Sequence, residues 1–365
     1  MKRIIFVTHN IEDESDGIWK KISFQVAALR DLGFTVDFFF ARKGAVVCDN
    51  GSDTLIYALA PLKKYSFYKV VRKIISSNQY IYDYCYVRKP HGGLFSIYLA
   101  QLLVYFKNTG TKVIFEIPTY PYRSELKSFK DRLTNLVFDF SSISFKKYID
   151  IICFFGSPHD SIWGIRCIRI SNGIDVNTVN IIPEKKSSDE FVLLGVANLS
   201  FWHGYDRLLY GLAEYTGPYN VLFKVIGNTE PELTRLKKIV NSLGIEGNVQ
   251  FCGRLSGKKL ENEFYNADVC IDAVGRHRSG NAYNSSIKSK EYTARGLPFI
   301  KSHLDDAFNK NEFILEVEPS DNPINIENII VWRRNLEEGF SLKERQYAID
   351  NLTWTKQLEN VLKAI

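Results

Sequence analysis

A loop of glycine, asparagine and serine, beginning at Arg276, runs into a segment whose residue types suit an anionic ligand: SSIKSKEYTARGLPFI, residues 285–300. Ser285 or Ser286 stands at the expected start of a helix reaching Arg295, with Gly296 and Pro298 to end it and a strand to follow. A helix start presents unpaired N–H groups and the positive end of the peptide dipole, both of which favour a phosphate. Lys288 falls in the first turn, where the dipole by itself prefers an acid, so its charge makes sense beside a bound anion. Glu291 follows on the same face. A carboxylate set back from a phosphate can accept hydrogen bonds from the two hydroxyls of a ribose. Together these residues describe a site for a nucleoside diphosphate. The plainer alternative is a solvated Lys–Glu pair ahead of an ordinary Gly-Leu-Pro helix exit.

Holding a helix start in place takes strands beside it, and the chain supplies strands and helices in alternation. The opening RIIFVT (3–8), a loop through Asn10, Asp13 and Gly17, a helix from about 18 to 32 and the strand TVDFFFA form a β-loop-α-β unit. The dinucleotide fingerprint GxGxxG is missing from it. Further strands are expected at 54–59, 82–88 and 112–118, with helices at about 64–77 and 92–108. The loop KPHGG, with His91, closes one strand, and Glu116 ends another beside the aromatic, proline-stiffened run ending at Tyr120, Pro121 and Tyr122. Glu116 is placed to bind a hydroxyl or act as a base, with a buried structural acid as the equal alternative. Residues 126–148 read as one amphipathic helix, or two, with Lys127, Lys130, Arg132, Lys146 and Lys147 outward. The basic-aromatic run from Lys63 and Lys64 through Lys69, Arg72 and Lys73 contains no acid. Both stretches could rest on an anionic bilayer or simply face water. The α/β pattern restarts with FVLLGVANL (191–199) and continues through strands at 219–227, 248–255 and 267–274 to a final amphipathic helix, WTKQLENVLKAI.

The segment SSIKSKEYTARGLPFI resembles the donor-site segment of the GT-B glycosyltransferases, in particular family 4. It is similar to a subset with a serine-rich run, a lysine and then Glu-Tyr, here Lys288 and Glu291-Tyr292. The first glutamate of the usual family pair is replaced by Tyr283. The turn Asn172-Gly173-Ile174-Asp175 resembles the family's exit from its first domain, and the likeness covers nearly the whole chain, most closely 168–300. It implies an α/β, GT-B architecture: two Rossmann-like doubly wound domains facing a cleft, with a C-terminal helix crossing back to the first. The expected boundaries are 1–180 for the acceptor-side domain, 181–345 for the donor domain and 346–365 for the returning helix. On the donor side the resemblance implies Asn198, His203, Gly204, Gly227, Asn228, Arg254, Leu255, Ser285, Ser286, Ile287, Lys288 and Glu291. Asn198 and His203 stand where most members carry an Arg and a Lys that clamp the diphosphate. A protonated His203, Arg254 and Lys288 would then supply the charge. On the acceptor side it implies His9, Asn10, Asp13, Gly17, Glu116 and Tyr120, with His9, Glu116 and Lys288 as the catalytic candidates. A packed His9 at a strand end is the alternative for that residue.

The activity implied is retaining transfer of a sugar from a nucleotide-sugar co-substrate to a glycan or lipid-linked saccharide, in surface polysaccharide synthesis. No further cofactor and no metal is expected, since no DxD motif ends a strand. A catalytically silent scaffold or a sugar-nucleotide epimerase on the same fold are the alternatives.

Composition fits this reading. With 365 residues, 45% hydrophobic and 24% charged, two soluble globular domains are expected. The net charge of +6, without a dense basic block, argues against nucleic acid. Cys48, Cys85, Cys153, Cys167, Cys252 and Cys270 have no metal-ligand or disulfide spacing, and suit a reducing cytoplasm. The N-terminus lacks a signal-peptide pattern, and the apolar run from Leu94 to Phe106 is too short to span a bilayer. The location expected is therefore cytoplasmic, at most peripheral on the inner membrane face.

Overall fold

The computed structural model describes residues 2–13, 16–58, 65–90, 95–121, 129–185, 190–280, 282–308 and 310–365; side chains at 58, 130 and 131 are not included. The chain folds as two compact units, Met1–Ile170 with Trp354–Ile365, and Ser171–Thr353.

In the first unit the strands are β1 (Arg3–Ile11), β2 (Thr35–Arg42), β3 (Ala45–Asp49), β4 (Thr54–Ala58), β5 (Tyr84–Arg88), β6 (Lys112–Tyr120), β7 (Ile151–Gly156), β8 (Ser161–Ile162) and β9 (Ile165–Arg169). They form one sheet in the order β4-β3-β2-β1-β5-β6-β7-β9-β8. Its centre is parallel, because helices α1 (Gly17–Asp31), α2 (Phe67–Ser77), α3 (Phe95–Asn108) and α4 (Phe129–Phe145) make the crossovers. Strands covered on both faces read as continuous apolar runs, which is why IIFV, FFF and VIF were legible. The period of two still sorts them: Ile5 and Val7 join the core under α2, α3 and α4, whereas Ile4 and Phe6 join the core under α1. β3 was not expected from the sequence; it pairs antiparallel with β2 on one side and with the edge strand β4 on the other.

The second unit has β10 (Glu190–Val196), β11 (Asn220–Ile226), β12 (Val249–Gly253), β13 (Val269–Ile271), β14 (Phe299–Lys301) and β15 (Ile314–Glu316), all parallel, in the order β12-β11-β10-β13-β14-β15. Its helices are α5 (Tyr205–Glu214), α6 (Glu232–Leu243), α7 (Gly257–Asn266), α8 (Ile287–Arg295), α9 (Ile326–Arg334) and α10 (Phe340–Tyr347). The expected turn at Asn172 belongs to this unit. Asp175 caps a short turn there by accepting from the Asn177 amide at 3.0 Å. The last helix, α11 (Trp354–Lys363), is part of the first unit, where Trp354, Leu358 and Val361 enter the core beside α1.

In each sheet the chain leaves the central strand in one direction and later resumes on its other side. The two switch points, between β1 and β5 and between β10 and β13, are where open parallel sheets hold ligands, beyond the strands' carboxyl ends.

Two expectations change on this frame. Glu116 lies inside the first unit, fully buried. One of its oxygens pairs with Arg88, and the other accepts from Tyr86 Oη at 2.6 Å and Gln25 Nε2 at 2.8 Å. Burial pushes its carboxyl up, but the Arg88 and Lys21 charges and these hydrogen bonds outweigh that and hold it below the usual range. An ionised acid with both oxygens engaged and no route to solvent knits β5, β6 and α1 together; it is not placed as a base. Nearby, burial pulls Lys21 down to about 7, its ammonium lying 3.1 Å from the Phe155 ring centroid.

The second change concerns α4. Arg132 and Lys147 are exposed as expected, but so is an apolar row along the same helix, and Lys146 is half-buried. The loop with His91, the first basic residues Lys63 and Lys64, and Tyr122 and Lys127 lie outside the described residues.

Candidate functional site

At the switch point of the second sheet lies a cavity of about 300 Å³. Its walls come from three places. Trp202 and His203 follow β10, Asp272, Ala273 and Arg276 follow β13, and Asn284, Ser285, Ser286, Ile287 and Lys288 lead into α8, with Asn172 alongside.

The backbone brings these segments together through glycine. Gly204 has φ 69° and begins α5; a Cβ there would lie 2.5 Å from the Gly275 nitrogen and 2.8 Å from its Cα. No side chain fits, so the β10 and β13 loops can touch only as Gly204 on Gly275. Gly204→Ala is therefore expected to destabilise the second unit by about 2 kcal/mol or more, from left-handed strain plus the backbone clash. A denaturant midpoint matching the unmutated chain would show that the two loops can part freely.

Helix α8 begins one residue past Ser286, and neither serine caps it by side chain. Ser286 Oγ donates to Asp272 Oδ1 at 3.0 Å. Ser285 Oγ accepts from the Asn172 amide at 2.7 Å and lies 2.7 Å from Ser171 Oγ, while Asn172 Nδ2 donates to the Ser285 carbonyl at 2.8 Å. The expected serine cap is thus replaced by a tether, and the helix start faces the cavity without a side-chain oxygen upon it. Gly296 ends the helix at φ 71°, as its sequence position suggested.

Asp272 is the residue that sequence reading missed. It is fully buried, one step past β13. It gathers Ser286, the Ser289 hydroxyl and the Lys288 ammonium, whose Nζ is 3.1 Å from Oδ1; His303 Nε2 lies 3.6 Å from Oδ2. Burial pushes its carboxyl up, yet the Lys288 charge and the serine hydrogen bonds prevail and hold it well below the usual carboxylate range. The one signal available in sequence was an acid ending the apolar run ADVCI just before the Arg276–Ile300 stretch.

Lys288 lines the cavity, and despite its contact with Asp272 its ammonium has no hydrogen-bond acceptor among the described residues. Arg276 is the second cation on the wall, and its Nε is also buried without an acceptor there. Its guanidinium carbon lies 6.0 Å from the Trp202 ring centroid. Two cations with unused donors face one carboxylate across the same space, so the wall is left net positive. Arg276 opened the stretch singled out in the sequence but received no role; its place on the wall comes from the turn at 276–279 folding back under Gly204. Arg254, expected to add charge, is exposed and is not among the lining residues.

His203 is present but not as a cation. Burial first, and the Lys288 charge second, pull its pKa down to about 3, so the ring is neutral near pH 7. The Ser200 amide donates to Nδ1 at 3.1 Å, which places the ring proton on Nε2. A neutral N–H donor replaces the imidazolium expected.

Asn198, Gly227, Asn228, Leu255 and Glu291 are not among the lining residues. Gly227, at φ 144°, packs against the Ala197 carbonyl and bonds to Gly253. Glu291 is half-buried and takes two N–H groups of Arg295 at 2.8 and 3.0 Å; Arg295 in turn grips Glu261 at 2.7 and 2.9 Å.

In the first unit, His9 and Asn10 end β1 at its switch point. His9 is buried, its ring 4.5 Å from Phe95 and its Nδ1 3.4 Å from Tyr68 Oη. The Thr8 hydroxyl donates to Asn10 Oδ1 at 2.7 Å, Asp13 is exposed in the loop, and Gly17 starts α1. Tyr120, at the end of β6, stacks edge-on against His159 at 4.7 Å. Among the described residues no three His, Cys, Asp or Glu side chains converge as metal ligands.

Comparison with known proteins bears on the fold that carries this cavity. Residues 178–274 match the family model of glycosyl transferases group 1. Among solved structures, the chain is similar to Anabaena Alr3699/HepE in complex with UDP (TM-score 0.61, 13% identity, all of both chains covered). It is also similar to a glycosyltransferase of Rickettsia africae (TM-score 0.63, 14% identity, 100% of this chain and 97% of that one). A third is the lipopolysaccharide outer core galactosyltransferase WaaB in its apo form (TM-score 0.60, 14% identity, 100% and 99% covered). A search of curated protein sequences finds no match. The likenesses show the fold, GT-B, with its two Rossmann-like units.

Proposed function

We propose that this chain, which carries a group 1 glycosyl transferase segment on the GT-B fold, is a glycosyltransferase using a nucleotide-sugar donor. The observation that carries the reading is the cavity at the second switch point. Lys288 and Arg276 present unsatisfied donors there beside an uncapped helix start. That is a site for the diphosphate of a nucleoside.

As the glycosidic bond breaks, charge grows on the departing diphosphate. Lys288 and the α8 amides meet it from one side and Arg276 from another, with His203 Nε2–H as a neutral donor between them. Asp272 fixes the Lys288 ammonium before the donor arrives, so little reorganisation is needed. Trp202, partly exposed, offers an aromatic face on the same wall. Fixed positive groups of this kind can serve without a metal, and we assign the transfer no metal or further cofactor. The outcome assigned is retention, and the acceptor is a glycan or lipid-linked saccharide of a surface polysaccharide, handled in the cytoplasm at the membrane's inner face. The complex of the structural neighbour Anabaena Alr3699/HepE with UDP-glucose supports the donor side of this reading. No helix among the described residues is long and apolar enough to cross a membrane.

The direct test is turnover of a panel of nucleotide sugars, with release of nucleoside diphosphate as the readout. Transfer or slow hydrolysis of one donor is expected; inertness toward every donor, with nucleotide binding intact, would favour a scaffold. Glu291 is tested separately. Glu291→Ala is expected to raise the donor's Kd about tenfold or more, since a ribose hydrogen bond to a carboxylate contributes about 1.5–3 kcal/mol. Arg295 keeps Glu261 in this variant, so the helix stays anchored. Unchanged affinity by calorimetry removes Glu291 from the site.

A further inference from the structure

The turn that carries Arg276 is gripped by a second arginine outside the cavity wall. Residues 276–279 form one short turn after β13, closed by Gly280 at φ 70°. Two positions past Arg276, Arg278 reaches α5 instead of the cavity; its side chain is 7% exposed and lines no part of the wall. Its Nη1 donates to Asp206 Oδ1, in the first turn of α5, at 2.8 Å and to the Phe201 carbonyl at 3.1 Å. Its Nε donates to Asp321 Oδ1 at 2.7 Å. Asp206 is buried and Asp321 exposed, so the pair with Asp206 is the less screened of the two.

The aromatic contacts keep the same register. Phe201 and Trp202 are consecutive in the short turn ahead of α5. The Arg278 guanidinium carbon lies 4.3 Å from the Phe201 ring centroid, and that of Arg276 lies 6.0 Å from Trp202. Arg235 of α6 braces the anchor: its Nη1 donates to Asp206 Oδ2 at 3.1 Å, and its guanidinium carbon lies 4.9 Å from Phe201. Burial pushes the Asp206 carboxyl up, but the hydrogen bonds from Arg278 and Arg235 outweigh that and hold it below the usual range. One residue along, Arg207 Nη1 donates to the Val274 carbonyl, and the Val274 amide donates to the His203 carbonyl at 2.9 Å. The loop is thus fixed at Val274 and again at Arg278, and Arg276 lies between the two anchors.

The charge of Arg278 is already met by carboxylates, whereas Arg276 has a buried Nε without an acceptor among the described residues. We infer that Arg278 is a positioning residue for Arg276: clamped to Asp206 and the Phe201 carbonyl, it holds the 276–279 turn so that the Arg276 guanidinium stays beside Trp202 on the cavity wall. The inference rests on the diphosphate site proposed above and adds the group that keeps one of its two cations in place. An arginine on a loose turn would have to be ordered when the anion arrives, which lowers affinity.

The test is a double-mutant cycle on the full chain, followed by calorimetry with UDP, ADP, GDP and inorganic pyrophosphate as probes. Arg276→Ala and Arg278→Ala are each expected to weaken anion binding about tenfold, the size of one charge-assisted hydrogen bond. R276A/R278A should bind no more weakly than R276A, because nothing is left to position. R278A should also flatten the salt dependence of binding as R276A does, although Arg278 itself is paired with acids. A merely structural residue would lower the unfolding midpoint alike in both backgrounds and leave the salt dependence unmoved. Should Arg278→Ala fail to fold, Arg278→Lys carries the cycle; it keeps the charge beside Asp206 without the planar fork, and a few-fold loss that vanishes in the R276A background is expected. Affinity unchanged by the Arg278 variant, or losses that add in the double variant, would overturn the inference. A wild type that binds pyrophosphate but none of the nucleotides would count against the glycosyltransferase reading alone, with the cycle decided on pyrophosphate. Binding of neither would overturn both.

Discussion

Replacing Lys288 by alanine is expected to lower kcat by roughly 10²–10³-fold, the usual cost of losing one preorganised charge stabiliser. The ammonium lines the cavity, is held by Asp272 at 3.1 Å, and has no hydrogen-bond acceptor among the described residues. Asp272 meets the ammonium on one side, and its remaining donors are open to whatever occupies the space. Because negative charge on the diphosphate grows during bond cleavage, kcat should fall more than donor affinity. Lys288→Arg should recover only part of the rate, since a planar fork does not replace a compact ammonium. Steady-state kinetics on the donor found by the panel, with binding followed by calorimetry, makes the measurement. A near-normal kcat would move the task to Arg276, whose own alanine variant would then carry the large effect. His203 should contribute no step to the pH–rate profile near its ordinary pKa, being neutral down to about pH 3.

The second large effect is on stability. Asp272→Ala should destabilise the second unit by about 3 kcal/mol, because removing one member of a buried ion pair strands the other. Ser286 and Ser289 lose their acceptor in the same step. The carboxyl is held below its ordinary range in the fold, so its contribution is present above the unfolded pKa of about 3.9 and fades as pH falls below that. The gap between wild type and Asp272→Ala should thus be full at neutral pH and narrow in acid. A double-mutant cycle with Lys288→Ala isolates the pair: the double variant should be less damaged than the two single losses added together, since no uncompensated charge remains. Strict additivity would mean that Asp272 serves the serines alone.

Much of this arrangement could be read from the residues in order. Parallel strands covered on both faces appear as unbroken apolar runs, so β1, β2, β10 and β11 were visible without tertiary information. Helix α8 was bracketed by Ser286 and Gly296, because the polar entry and left-handed exit are properties of a few neighbouring residues. Lys288 in its first turn pointed to an anion for the same local reason. β3, five residues paired between β2 and β4, was missed, since so short a run between two turns carries too little pattern to separate from a loop.

What the tertiary structure decided were the pairings between distant residues. Asp272 and Lys288 sit on different elements, and only the register of β13 beside α8 makes them partners. Arg276 gains a role because Gly204 lets two loops touch, an approach set by the absence of two side chains. Glu116 was open to catalysis in sequence and is closed to it in the fold, because Arg88, Gln25 and Tyr86 converge on it from two other elements. The same holds for α4. Its sequence is apolar on two faces, and periodicity cannot say which one faces inward; packing against α3 buries Phe138 and Phe145 and turns Phe129 and Phe140 to the outside. Spacing along a chain determines which residues share a face, whereas the charge and solvent that each face meets depend on neighbours that the order of residues alone does not name.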